Sequence, residues 1–278
     1  MAETKDSLLM ALDALKPYLS DLVISGGWVP FIYHTYLGTP RPKHPPLMTE
    51  DLDISVATDL LPGSRPSLST FLKPDRRSGI SLGHFGPKGP EETVYKATKD
   101  GAEIEVTFMS PRRGGDERQA IAIPAGVIST LLRYIDVLLA SNMKVRIADQ
   151  TSNGQSVDVE AIVATPEAYC FQKGLSFVER ATRYKKSKDL YYLFDLLANY
   201  PELRRRCEEE IPKLQARFHS KWYTRFLSNF EQHFQTAEAE GAMLVEEQRP
   251  GGGSDPAFRA QVCRTFQDFI KKLKAAGH

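Results

Sequence analysis

The chain has 278 residues, enough for one large hydrophobic core or two smaller ones, and its 41% hydrophobic and 26% charged residues are ordinary globular composition. A net charge of +1 excludes a global field that would favour nucleic acid over other partners. No apolar stretch reaches transmembrane length, and the start Met1-Ala2-Glu3-Thr4-Lys5-Asp6 lacks the basic-then-apolar pattern of a signal peptide, so a cytoplasmic location is expected. Cys170, Cys207 and Cys263 are scattered, with no metal-ligand spacing, and read as reduced, partly buried thiols.

In chain order, Leu8, Leu9, Leu12, Leu15 and Leu19 give residues 5–19 one apolar helical face. Leu22 to Ser25 is a short apolar strand that runs into Gly26-Gly27. A second helix is expected from Gly27 to Leu37, with its N-terminus where a phosphate would bind. Thr39 to Pro46 holds four prolines and is an extended loop. Leu52 to Ala57 returns to strand.

Residues 60–92 read as loops around a short helix near Leu68–Leu72. Thr93–Thr98 and Ala102–Phe108 flank Lys99-Asp100-Gly101, a hairpin signal. From Ile121 to Leu139, helix and short strands both fit. Met143–Ala148 and Ser156–Val163 can pair across Asn153-Gly154. After Thr165-Pro166, a cap and first-turn proline, the pattern is helical: 188–198, 201–216, 218–240 and, beyond the linker Gly251–Ser254, a last helix from Asp255-Pro256. The expected fold class is α+β: a small mixed sheet with flanking helices in a domain of residues 1–165, then an all-helical domain of residues 166–278.

The chemistry concentrates in Ser25-Gly26-Gly27 and Asp51-Leu52-Asp53. Alternation along a strand puts Asp51 and Asp53 on one face, with Leu52 and Ile54 on the other. Two carboxylates so placed suit Mg²⁺, one ion or a pair, and two metal ions can stabilise the attacking and leaving oxygens of a phosphoryl transfer. The glycines leave backbone N–H groups open to a polyphosphate. A third carboxylate should come from a neighbouring strand. Glu105 is the candidate, as metal ligand or base, and Glu103 on the same face is its alternate.

The order Ile24-Ser25-Gly26-Gly27, then Asp51 and Asp53, then a strand carboxylate resembles the nucleotidyltransferase superfamily with its DNA polymerase β-like fold. The segment from Thr165-Pro166-Glu167-Ala168-Tyr169 through Lys173 and Arg180 to Lys188-Asp189-Leu190 is similar to one found in bacterial nucleotidyltransferase-like proteins, including the toxins of abortive-infection (type IV) toxin–antitoxin systems. The resemblance implies Mg²⁺-dependent transfer of a nucleoside monophosphate from an NTP to an acceptor hydroxyl, with two Mg²⁺ ions. Asp51, Asp53 and Glu105 would be catalytic and metal-binding. Ser25, Gly26, Gly27, Lys173, Lys188 and Asp189 would bind the nucleotide, Lys188 and Asp189 as a basic–acidic pair with Asp189 orienting Lys173 or acting in catalysis. The implied acceptor is RNA, protein or a small molecule, and a toxin role implies a cognate antitoxin. Two features depart from the superfamily pattern: a long spacer between Gly27 and Asp51, and Trp28 where many members carry Ser or Thr. The alternative reading is a catalytically degenerate nucleotide-binding module with a sensing or scaffolding role. The basic run Arg180, Arg183, Lys185, Lys186 and Lys188 reads as a solvated helix face, or as a binder of triphosphate or RNA backbone.

Overall fold

A computed structural model describes residues 2–38, 46–71, 81–85, 94–99 and 102–276. The described chain falls into two units, Met1–Leu37 with Leu47–Ala164, and one built on Thr165–His278. Most of the Pro-rich loop expected at 39–46, and the turn residues Asp100 and Gly101, lie outside the described residues.

The first unit is a mixed sheet of nine strands. β1 (Leu22–Ser25), β2 (Asp51–Val56), β3 (Ser81–Phe85), β4 (Val94–Lys99), β5 (Ala102–Pro111), β8 (Asn142–Gln150) and β9 (Ser156–Ala164) run in the spatial order β3-β4-β5-β2-β1-β9-β8. β6 (Ala120–Ile123) pairs with β7 (Val127–Leu132), and β7 pairs with β5. β1 is buried along its whole length between an antiparallel β2 and a parallel β9, which explains its uninterrupted apolar run. The expected hairpins form as β4–β5 and β8–β9.

Helix α1 (Ala2–Ala14) buries Leu8, Leu9 and Leu12 against the sheet. It stops short of residue 19 because Pro17 cannot continue its hydrogen bonding, and a 3-10 turn, Lys16–Tyr18, follows. α2 (Trp28–Tyr36) starts directly after the two glycines. α3 is the short Leu68–Phe71. The stretch that suited both helix and strand divides: Val127-Ile128-Ser129-Thr130, with β-branched Val127, Ile128 and Thr130, pairs as β7, and Ile135–Ala140 forms α4. β3 is a strand inside a region expected to be loop. Its Ser-Leu-Gly-His-Phe sequence carries little periodicity, and pairing with β4 decides it.

The second unit is helical: α5 (Pro166–Ser176), α6 (Arg183–Asn199), α7 (Pro201–Leu214), α8 (Ser220–His233), α9 (Glu240–Glu247) and α10 (Pro256–Ala276). Thr165 caps α5 by accepting from the Ala168 N–H, as its position predicts. The single helix expected over 218–240 is shorter. α8 ends at His233, and α9 closes against it because Gly241 lacks a side chain where a Cβ would meet the His233 carbonyl at 2.5 Å. Among the described residues no helix is long and apolar enough to cross a membrane.

Candidate active site

Three strands of the first unit assemble the site. β1 and β2 pair antiparallel with Ser25 opposite Asp53, and β2 and β5 pair parallel with Asp51 opposite Glu105 and Asp53 opposite Thr107. Residues opposite each other in a sheet share a face, so Asp51, Asp53 and Glu105 project on the same side. Leu52, Ile54 and Val56 are buried on the other face of β2, as are Ile104, Val106 and Phe108 of β5. Asp51 and Asp53 are half-buried and Glu105 is exposed. Neighbouring strands lie about 4.8 Å apart and residues two apart on a strand about 6.7 Å, so the three positions are neighbours on one face of the sheet. Pairing of β2 with β5 begins at Asp51, so Glu103 stands one strand repeat beyond the paired stretch.

Gly26 has φ +70, in the left-handed region where glycine is favoured. A Cβ there would stand 2.7 Å from the Asp53 Cβ and closer still to its carboxylate, so Asp53 lies directly on the Gly26 backbone. Gly27 is the N-cap residue of α2 and contributes no capping side chain. The site thus combines a helix N-terminus with two strand carboxylates.

Buried hydroxyls brace these two residues, Asp53 at its peptide carbonyl and Asp51 at its carboxylate. Ser25 Oγ donates to the Asp53 carbonyl at 3.1 Å, and Ser55 Oγ donates to Ser25 Oγ at 3.1 Å. The hydroxyl of Thr49, itself buried, donates to the Asp51 carboxylate. Sequence reasoning passed over Thr49 and Ser55. Continuing the two-residue alternation of Asp51 and Asp53 in both directions would have found them.

Trp28, the first residue of α2, is fully buried and meets Phe31 edge-on at 5.4 Å between centroids. Its indole N–H has no partner among the described residues. It belongs to the core, where the superfamily's usual hydroxyl residue would be polar.

Lys173, Lys188 and Asp189 lie in the second unit. Lys173 on α5 is 4% exposed, with its ammonium 2.6 Å from Asp189 on α6 and 5.8 Å from the centroid of the Tyr169 ring. Arg180 binds the second oxygen of Asp189. Burial opposes ionisation of Asp189, but the two cations outweigh it and hold the carboxyl below its ordinary range. Lys188 lies 6.0 Å from the centroid of the exposed Tyr184 ring. In the basic run, Arg180 pairs with Asp189, Arg183 with Glu247 and Lys186 with Glu240. Much of its charge is therefore compensated within the unit.

Among the described residues no three His, Cys, Asp or Glu side chains form a preformed metal cage. That donor set still fits Mg²⁺, which is usually held by one or two carboxylates together with water and substrate phosphates. Asp51 and Asp53 supply two such carboxylates, and Glu105 a third on the adjacent strand.

A family model described as Nucleotidyltransferase matches residues 4–209. No curated protein matches the chain. Among solved structures the chain is similar to JHP933 from Helicobacter pylori, at 15% identity and a TM-score of 0.46, over 100% of this chain and 96% of that one. It is similar to an antigenic nucleotidyltransferase-like protein from Paracoccidioides brasiliensis, at 14% identity and a TM-score of 0.38, over 81% and 92%. A third likeness is to MenT4, a nucleotidyltransferase toxin from Mycobacterium tuberculosis H37Rv, at 16% identity and a TM-score of 0.32, over 100% and 96%.

Proposed function

This chain belongs to the nucleotidyltransferase family, and from that premise we propose that it transfers a nucleoside monophosphate from an NTP to an acceptor hydroxyl on the face carrying Asp51, Asp53 and Glu105, with pyrophosphate leaving. One observation carries this reading. Asp51 is in register with Glu105 on the neighbouring strand, while Asp53, two residues on, rests on Gly26 at the mouth of a helix N-terminus.

Asp51 and Asp53 would hold Mg²⁺ against the triphosphate, with Glu105 completing the set or taking the proton of the attacking hydroxyl. When bound, the metal neutralises charge that builds on the phosphoryl and leaving oxygens. The Val29 N–H goes to the Gly26 carbonyl and Pro30 has none, so the N–H groups of Gly27 and Trp28 would face an anion on that side. The buried Leu52, Ile54 and Val56 fix the strand beneath, so the carboxylates are presented on a rigid element. The acceptor is a hydroxyl on RNA, protein or a small molecule. A toxin role with RNA as acceptor is supported by the resemblance of the Thr165–Leu190 segment.

The test is transfer of label from α-³²P NTPs into RNA, protein and small-molecule fractions, by wild type and by Asp51→Asn and Asp53→Asn. Both variants should keep the wild-type circular dichroism spectrum and lose transfer. Full activity in both would reject the assignment. The toxin reading adds growth arrest on expression that Asp53→Asn relieves.

A further inference from the structure

We propose that Ser25 and Ser55 are positioning residues that hold Asp53 through a two-hydroxyl relay, and that Ser25 is not a phosphate ligand. The inference rests on the proposed metal role of Asp53.

A serine hydroxyl has one proton to donate. That of Ser25 goes to the Asp53 carbonyl at 3.1 Å, and its oxygen accepts from Ser55 at 3.1 Å. The Ser55 proton arriving on the Ser25 oxygen leaves the Ser25 proton to point only at Asp53. Both serines are 0% exposed. To donate to a phosphate, Ser25 would have to leave a buried carbonyl without its donor, which burial makes unfavourable.

Position strengthens the case. Ser25 is the last residue of β1, and the chain turns away at Gly26 with φ +70. Asp53 therefore meets two consecutive residues, its carbonyl bonded by the Ser25 hydroxyl and its side chain packed where a Cβ on Gly26 would stand. Partners hydrogen-bonded to a ligating group typically change metal affinity 10- to 100-fold when removed; Ser25 acts one step further back, fixing the Asp53 carboxylate through its peptide carbonyl, so its effect falls at the low end of that range.

The experiment titrates Mn²⁺, read by electron paramagnetic resonance, into wild type, Ser25→Ala, Ser55→Ala, the double variant and Asp53→Asn, each with an equimolar mixture of the four NTPs. NTP binding without metal, in EDTA, is measured in parallel. The relay predicts that Ser25→Ala weakens Mn²⁺ binding by up to about 10-fold, the low end for loss of a supporting hydrogen bond. Ser55→Ala should weaken it less and add nothing in the Ser25→Ala background. Metal-free NTP binding should stay at wild-type level in all three. Loss of metal-free NTP affinity in Ser25→Ala, with Mn²⁺ binding unchanged in Ser55→Ala, would make Ser25 a phosphate ligand and overturn the proposal. Unchanged Mn²⁺ binding in both serine variants, with Asp53→Asn defective, would overturn the relay alone. Normal Mn²⁺ binding by Asp53→Asn would overturn the metal site and the relay together.

Discussion

Asp53 rests on the backbone of Gly26, so closely that a Cβ on Gly26 would overlap its carboxylate. Gly26→Ala therefore carries two penalties. The left-handed backbone costs an alanine about 1–2 kcal/mol, and the overlap adds to it. Chemical denaturation should show a loss larger than the backbone cost alone. In an Asp53→Gly background the loss should fall back to that cost, because the colliding atoms are gone. An equal loss in both backgrounds would show that the contact does not matter.

The Lys173–Asp189–Arg180 triad predicts an acid-sensitive helical unit. Asp189 has its carboxyl held below the ordinary value, so its stabilising contribution is present above the unfolded value near pH 4 and is lost as pH falls through the folded one. Asp189→Asn removes the buried carboxylate that pairs with the Lys173 ammonium and should cost about 3–5 kcal/mol. Denaturation at pH 7 and pH 3 checks both parts. The variant's deficit should be large at pH 7 and smaller at pH 3.

All three thiols should be inert in the native protein. Cys170, Cys207 and Cys263 are buried, and burial, with the Cys170 thiol beside it, pushes the Cys207 thiol well above its ordinary range. A thiolate is the reactive form, so Ellman's reagent should titrate the thiols only after denaturation. Rapid reaction of a native thiol would contradict this packing.

Trp28 should behave as a core residue. Trp28→Ala is expected to cost about 3–5 kcal/mol. Trp28→Phe keeps most of the volume and removes a buried indole N–H that has no partner among the described residues, so it should leave NTP affinity unchanged. A marked loss of affinity in Trp28→Phe at unchanged stability would instead place the indole at the nucleotide.

Much of the site is local in sequence and was legible there. A strand running into Gly26-Gly27, and an apolar-flanked Asp51-Leu52-Asp53, declare their geometry through chain stereochemistry alone, and alternation selects Glu105 on its strand. The register of Asp51 with Glu105 is not local, because it depends on parallel pairing between strands separated by β3 and β4. The relay from Ser55 to Ser25 joins residues thirty apart and is equally invisible until β1 and β2 are paired. From the residues alone Lys173 looks like an ordinary helix-surface charge, and it is the family resemblance that sets Asp189 to orient it. Only the packing of α5 with α6 buries them together. Residues 127–132 failed to declare themselves because Val127 and Leu131 fit a helical stripe, while Ile128, Ser129 and Thr130 between them are settled by pairing with β5 and β6.

The most direct test of the central claim is isothermal titration of each of the four NTPs, with and without Mg²⁺, into wild type and Asp53→Asn. The account predicts binding of at least one NTP that requires Mg²⁺ and is lost in the variant. Mg²⁺-dependent binding of equal affinity in wild type and Asp53→Asn would contradict it.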